Sequence, residues 1–301
     1  MSSTAPIGVI AHYNLLERLE PAGPGELFRA RDTRHGRTVA IRWLPAGFAS
    51  AGMSADKVIE RARGIASLSH PNVTTVFDAG EQDGRAYLVF EFLKGQSLRA
   101  EMAGRPVNVR RAVELAIQIA DAVADAHAAG YVHGGLSPDS IVITAKGHSK
   151  IPALELASRG GFEPGDSGGR LRDYDSPEEA RGQPADDRSD IYSVGAMIYE
   201  MVTTRRPPHR GAAAPSGSNP HVIKDLDEII LKAVAPNPDS RYQSAATLAA
   251  ELRAVGAILD VRGGAGDEEQ AEATSTSVGR VVVTTIAILA AVAAVLWWLI
   301  G

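Results

Sequence analysis

The chain has 301 residues, 45% hydrophobic and 22% charged, with 31 Lys and Arg against 36 Asp and Glu and a formal net charge of -5. That balance suits one large globular domain or two small ones, and it supplies no global basic field for nucleic acid. Cysteine is absent, which excludes disulfides, thiolate chemistry and Cys-based zinc sites.

The first thirty residues carry no basic n-region followed by a sustained apolar stretch, so a secretory signal is not expected and the bulk of the chain is read as cytoplasmic. Residues 38–44 and 86–92 are rich in β-branched and aromatic side chains and read as short strands. Residues 110–128 place Val113, Ala116, Ile117, Ile119, Ala120, Val123 and Ala124 at helical spacing, which predicts one buried helix. Helices are also predicted over 190–202 and 245–258. A strand-rich first hundred residues followed by a helix-rich remainder indicates an α+β arrangement of two lobes. Residues 160–169 and 211–219 are Gly/Pro/Ser-rich and read as loops. The basic run Arg205, Arg206, His209, Arg210 is broken by Pro207 and Pro208 and reads as a solvated loop. Residues 263–277 mix Gly, acidic and Ser/Thr residues in the manner of a flexible linker.

The last segment carries the clearest physical signal. Residues 281–300 hold no charge, and their polar side chains are Thr284, Thr285 and the indoles of Trp297 and Trp298. Twenty helical residues rise about 30 Å, the thickness of a bilayer core. A buried core helix would need surrounding chain to cover every face, so a single membrane span is the expectation. Arg280 flanks the run on its N-terminal side and the tryptophans suit the far interface, which places the N-terminal domain inside and the C-terminus outside. Ala287 with Ala291, and Ala290 with Ala294, form small-residue pairs through which two such helices could dimerise.

The order of motifs between Tyr13 and Ile258 resembles the bacterial serine/threonine protein kinases of the eukaryotic-like (Hanks) type. The resemblance rests on Val39-Ala40-Ile41, on His70-Pro71-Asn72-Val73, and on Tyr131-Val132-His133 followed by Pro138. It rests also on Ser176-Pro177-Glu178, on Asp190-Ile191-Tyr192-Ser193-Val194-Gly195 and on Asn237-Pro238-Asp239-Ser240-Arg241-Tyr242. It implies a two-lobed kinase-like fold, with a tail at 1–12, an N-lobe at 13–94, a C-lobe at 95–258, a juxtamembrane linker at 259–280 and the span at 281–300. It also implies that Glu178 pairs with Arg241, and that Asp190 supports the backbone of a catalytic loop beginning at His133.

Against that frame the positions that carry phosphoryl transfer are changed. Transfer needs a phosphate cradle, metal ions and a group that accepts the hydroxyl proton. The resemblance places the proton acceptor at Gly135, a lysine at Ser137 and metal ligands at Ser140 and Ala153, and none of these side chains can do that work. Losing the positioned proton acceptor alone typically costs about 10²–10⁴-fold. Asp139 is next to none of the roles, and Glu155 is a carboxylate two residues from the metal position. In the stretch Leu19 to Gly25 only Gly25 keeps a cradle glycine, while Glu20 adds negative charge and Pro21 and Pro24 remove N–H donors. The lysine that pairs with ATP is replaced by Arg42, whose planar fork is not a compact ammonium. Its glutamate partner falls on Arg61, with Glu60 one residue away as the alternative. The substrate-contacting threonine has become Leu171. Ser158, Ser167 and Tyr174 remain in the activation segment, with no cationic partner expected from the catalytic loop.

The expectation is a pseudokinase: a membrane-held docking, scaffold or regulatory module for a protein partner such as an active kinase or an envelope-linked complex. No cofactor, no metal and no nucleic acid are expected, and Mg²⁺ least of all. Residual ATP binding would use Arg42, Gly25, Leu27, Ala40 and Phe90. The alternative is a weakly active serine/threonine kinase or ATP-binding protein that uses Arg42, Glu60, Glu155 or Asp139.

Overall fold

The computed structural model describes residues 6–19, 25–45, 55–152 and 173–262. The chain divides into two units, 1–255 and 256–301. Of the second, residues 256–262 are helical. Among the described residues no helix is long and apolar enough to cross a membrane, and the run 281–300, the linker before it and Ala153, Glu155, Ser158, Ser167 and Leu171 lie outside them.

The first unit opens with β1 (Gly8–Ile10), β2 (Tyr13–Leu19), β3 (Glu26–Asp32), β4 (Arg37–Trp43), α1 (Ala55–Ile65), β5 (Val76–Gln82) and β6 (Arg85–Glu91). The strands form one antiparallel sheet in the order β1-β2-β3-β4-β6-β5. Period-two alternation decides its faces. Val39 and Ile41 join Tyr13, Leu15, Phe28 and Val89 in one apolar core, while Ala40 and Arg42 point the other way. The segment 1–12, expected to be a tail, contributes β1: Ile10 is fully buried and the Ile7 N–H donates to the Leu15 carbonyl at 2.8 Å. Three residues are too few for alternation to announce a strand, so this edge was invisible in the pattern.

A second group of elements follows. These are β7 (Gly95–Ser97), α2 (Leu98–Met102), α3 (Val109–Ala128), β8 (Val142–Thr144), β9 (Ser149–Lys150), α4 (Asp187–Thr203), α5 (Lys224–Ala233) and α6, which starts at residue 245. Strands β7, β8 and β9 form a small antiparallel sheet. In α3 the buried stripe includes Ala112, Leu115 and Ala122, whereas Ile117 and Ala124 are half-buried, so the stripe is rotated from the one expected. Helix α4 is buried nearly all round, from Ile191 through Val202. It is the central rod of this lobe. Its start is fixed by a capping box in which the Asp186 carboxylate accepts from the Arg188 and Ser189 N–H groups at 2.8 and 3.2 Å.

The two lobes are tied together by the segment 70–74. The Ile151 N–H donates to the Asn72 carbonyl at 2.8 Å and the Thr74 N–H to the Ile151 carbonyl at 3.0 Å. The Asn72 side-chain amide donates to the Ser149 carbonyl at 2.7 Å. A short connection, residues 92–94, leads from β6 to β7; with Glu91 it forms the hinge segment between the lobes.

Candidate functional site

The loop after α3 is positioned by Asp190, which is 1% exposed in the first turn of α4. Its carboxylate accepts from the His133 N–H and the Gly134 N–H, each at 2.8 Å, and lies 2.8 Å from His127 Nε2. A carboxylate suits a helix N-terminus, and here it also accepts from two loop amides. His133 itself is 1% exposed.

The loop that this frame presents carries little chemistry. Gly134 and Gly135 take φ of 61° and 155°, conformations that L side chains seldom adopt. Gly135 is buried and offers no proton acceptor. Ser140 is buried, and its hydroxyl donates to the Ser137 carbonyl at 2.8 Å and accepts from the Ser137 N–H at 3.0 Å. The two residues at the lysine and metal-ligand positions are thereby closed on one another. Asp139 is exposed and lies 3.3 Å from Arg99, turned toward α2 and away from the loop interior.

Across the cleft, Ala40 sits opposite Phe90 and Arg42 opposite Leu88 and Leu27 in the sheet register. Arg42 is 4% exposed. On α1 the buried positions are Val58, Ile59, Ala62 and Ile65. Arg61 is half-buried with its guanidinium 5.4 Å from the centre of the Tyr131 ring, and burial lowers its pKa from the usual arginine value. Glu60 is exposed on the outer face. The geometry therefore gives the inward position to Arg61 and leaves the Glu60 alternative pointing to solvent. Gly25, the surviving cradle glycine, has a steric role. At φ 88° a Cβ there would stand 2.4 Å from the Trp43 carbonyl oxygen, so the close approach of β3 to the end of β4 requires glycine. Residues 20–24 of the expected cradle lie outside the described residues.

Behind the loop, Glu178 and Arg241 form a bidentate pair at 2.6 and 2.7 Å, 6% and 2% exposed. Burial alone would raise the Glu178 carboxyl. The Arg241 bonds outweigh it and hold the group down at about 2. Ser189 donates to the same carboxylate at 2.9 Å, and Arg241 also reaches the carbonyls of Ala235 and Arg188 at 2.7 and 3.0 Å. Every strong donor and acceptor in this buried pair is used.

One cluster was not foreseen. Arg99 of α2 donates to the Tyr174 hydroxyl at 2.6 Å and to Glu200 at 2.9 Å, besides its contact with Asp139, and the Tyr174 hydroxyl also meets Glu200. A cation does reach Tyr174, then, but from α2 and not from the catalytic loop. These four residues lie 26 to 101 positions apart in pairs, and no sequence spacing links them. Elsewhere, His12, Asp32 and His35 converge as potential metal ligands. The Asp32 oxygens already accept from the Arg34 and His35 amides at 3.0 Å, from Arg37 at 3.1 Å and from His35 Nδ1 at 2.9 Å. The group acts as the lock of the β3–β4 turn, with its carboxyl held well below the usual range despite burial.

The sequence pattern of the protein kinase domain matches residues 15–254. The probable serine/threonine-protein kinase SCO3848 of Streptomyces coelicolor is 34% identical over 270 residues, which is 80% of this chain and 39% of that protein. The serine/threonine-protein kinase PknB of Mycobacterium tuberculosis is 33% identical over 277 residues, 83% of this chain and 44% of that protein. PrkC of Bacillus subtilis is 31% identical over 263 residues, 81% and 40% respectively. The chain thus spans less than half the length of these relatives. Among solved structures, the Mycobacterium tuberculosis PknI kinase domain superposes with a TM-score of 0.67 at 20% identity, over 84% of this chain and 99% of that one. That likeness establishes the fold.

Proposed function

Because the chain belongs to the protein kinase family, we propose that it is a catalytically inactive, membrane-anchored member that serves as a docking or regulatory module for a partner protein. One observation carries this reading. The frame that holds the catalytic loop is kept in full, through Asp190, His133 and Gly134, while the loop it holds has Gly135 in place of a proton acceptor and Ser140 bonded back onto Ser137. A frame kept without its chemistry suits a protein whose surface is the working part. The resemblance expects an acidic partner for Arg42 at Arg61, a cation half-buried against the Tyr131 ring, and Ala153 supplies no metal ligand. Held at a membrane by residues 281–300, the domain would meet membrane-bound partners at raised effective concentration.

The test uses the full chain in detergent. Thermal unfolding is followed with ATP, with and without Mg²⁺ or Mn²⁺, alongside transfer of γ-phosphate to a generic protein substrate. The reading expects no transfer and no metal-dependent shift. A ligand at 100 times its Kd would add about 2.7 kcal/mol, which is readily seen. Metal-dependent stabilisation together with transfer sinks the proposal. The names of the relatives, all serine/threonine-protein kinases, favour a second reading, that of a slow kinase using Arg42. On that reading Arg42→Ala abolishes the transfer, and activity that survives the change belongs to a contaminant. For the membrane anchor, protease added from the cytoplasmic side should degrade the domain, and protection there would overturn the proposed topology.

A further inference from the structure

The chain builds its positive charge from arginine, and only six of its 31 basic residues are lysines: 57, 94, 146, 150, 224 and 232. Three of those six line a single cleft beside the hinge. The cleft has a volume of about 800 Å³ and is walled by hinge residues 91–94, by Thr38, Pro71 and Asn72 of the N-lobe, and by the turn between β8 and β9 below. It is separate from the cleft of the catalytic positions, since Leu27, Ala40, Arg42 and Phe90 take no part in its lining.

Its chemistry is one-sided. Lys94, Lys146, Lys150 and His148 face it, with Glu91 the lone carboxylate among the lining residues. Glu91 is engaged by Lys150 at 2.6 Å. Among the described residues Lys94 and Lys146 form no ion pair. They are held beside one another because the Ala145 N–H donates to the Lys94 carbonyl at 3.3 Å. Gln118 adds an oriented donor. Its side-chain oxygen accepts from the Ser149 N–H at 2.8 Å, the Ser149 hydroxyl at 3.2 Å and the Asn72 amide at 3.1 Å. The Ser149 N–H can only donate, so the oxygen is fixed on that side and the NH₂ half is left for the cleft that Gln118 lines. Phe92, Leu93 and Pro71 supply an apolar wall. Concave shape, an apolar wall and a few convergent donors are the general marks of a small-molecule site.

We infer that this cleft binds a small soluble ligand bearing phosphate groups, with the phosphate held by Lys94, Lys146 and the Gln118 amide. Paired ammonium groups with a neutral donor match the several acceptor oxygens of a phosphate. A ligand here touches both lobes and the segment between them. The inference is independent of whether the domain transfers phosphate.

The probe is inorganic pyrophosphate, titrated by calorimetry into the full chain in detergent at fixed ionic strength. Four proteins are compared: wild type, Lys94→Gln/Lys146→Gln, Gln118→Leu and Arg42→Ala. The two lysines are exposed, so the double variant is expected to fold, and its unchanged melting in buffer checks this. The expected result is binding by wild type, retained in Arg42→Ala and weakened at least about tenfold in Kd in the double lysine variant. Gln118→Leu is expected to weaken it less. No binding by wild type overturns the inference. So does equal binding by the double lysine variant, or loss in Arg42→Ala, which would move the anion to the other cleft. Binding of short-chain phosphatidate without any binding of pyrophosphate would assign the site to a lipid headgroup and equally overturn the soluble ligand.

Discussion

Two regions of the C-lobe, the buried pair behind the activation segment and the loop it supports, share one scaffold and differ in what their side chains do. Glu178 and Arg241 make every bond open to them, and their neighbours Ser189, Ala235 and Arg188 complete the set. In the same lobe, residues 133–140 offer the His133 and Gly134 amides to Asp190 but bring no carboxylate, lysine or amide side chain to the loop interior. The difference separates two demands usually met together. Folding needs the first region. Phosphoryl transfer needs the second. If the proposed inactivity holds, the chain keeps the first while the second has lapsed.

The largest effect is expected where the first region is broken. Glu178→Lys should cost about 3–5 kcal/mol in urea unfolding, because Arg241 would be left buried without its partner. A loss under about 1 kcal/mol would mean that the pair is not what holds the segment. Its pH dependence has a definite sign. The folded carboxyl sits at about 2, below the ordinary glutamate value of 4.5, so its stabilisation is present above pH 4.5 and is lost as pH falls toward 2. The same acid titration on Glu178→Gln should lack that step.

Asp190→Asn comes next. It keeps the shape but not the charge that binds two amides, and a loss of about 1.5–3 kcal/mol is expected at unchanged denaturant slope. Third is Gly135→Asp, which restores a carboxylate to the loop. With φ at 155° the backbone resists a side chain, so the change should destabilise by about 1–3 kcal/mol and yield no phosphoryl transfer in a radiolabel assay. Stable folding with restored transfer would erase the contrast between the two regions. The smallest effect belongs to Glu179, whose carboxyl is pushed up to about 7 by burial, against the pull of the Ser176 N–H and hydroxyl. A raised carboxyl stabilises the fold below pH 4.5, and that contribution is lost as pH rises through 7. Glu179→Gln should therefore melt higher than wild type at pH 8 and the same at pH 4.

Much of this was legible in the sequence, for reasons that can be named. The lobes follow from strand pattern and helical spacing, and β4 and β6 fall within one residue of the expected 38–44 and 86–92. Glu178, Asp190, Arg241 and His133 could be singled out because their motifs recur in a fixed order. The family pattern marks Gly25 as a phosphate-cradle glycine, and the structure adds a steric demand from the Trp43 carbonyl that no spacing announces. The choice between Glu60 and Arg61 needed the phase of α1, which a single residue of register decides. The Arg99 cluster and the lysine cleft were hidden for a plainer reason. Lys94 and Lys146 are far apart in the chain, and tertiary packing alone brings them to one place.

The Asp190 carboxylate has a consequence for how the molecule breathes. Residues 133 and 134 belong to a loop, and loop amides ordinarily trade their protons with solvent through small local openings. These two are bound to a carboxylate on a buried helix 56 and 57 residues later in the chain. Freeing them requires α4 to leave its seat. Their deuterium uptake should accordingly be as slow as that of the α4 core and fall in step with global unfolding, so that two loop positions report on the whole lobe.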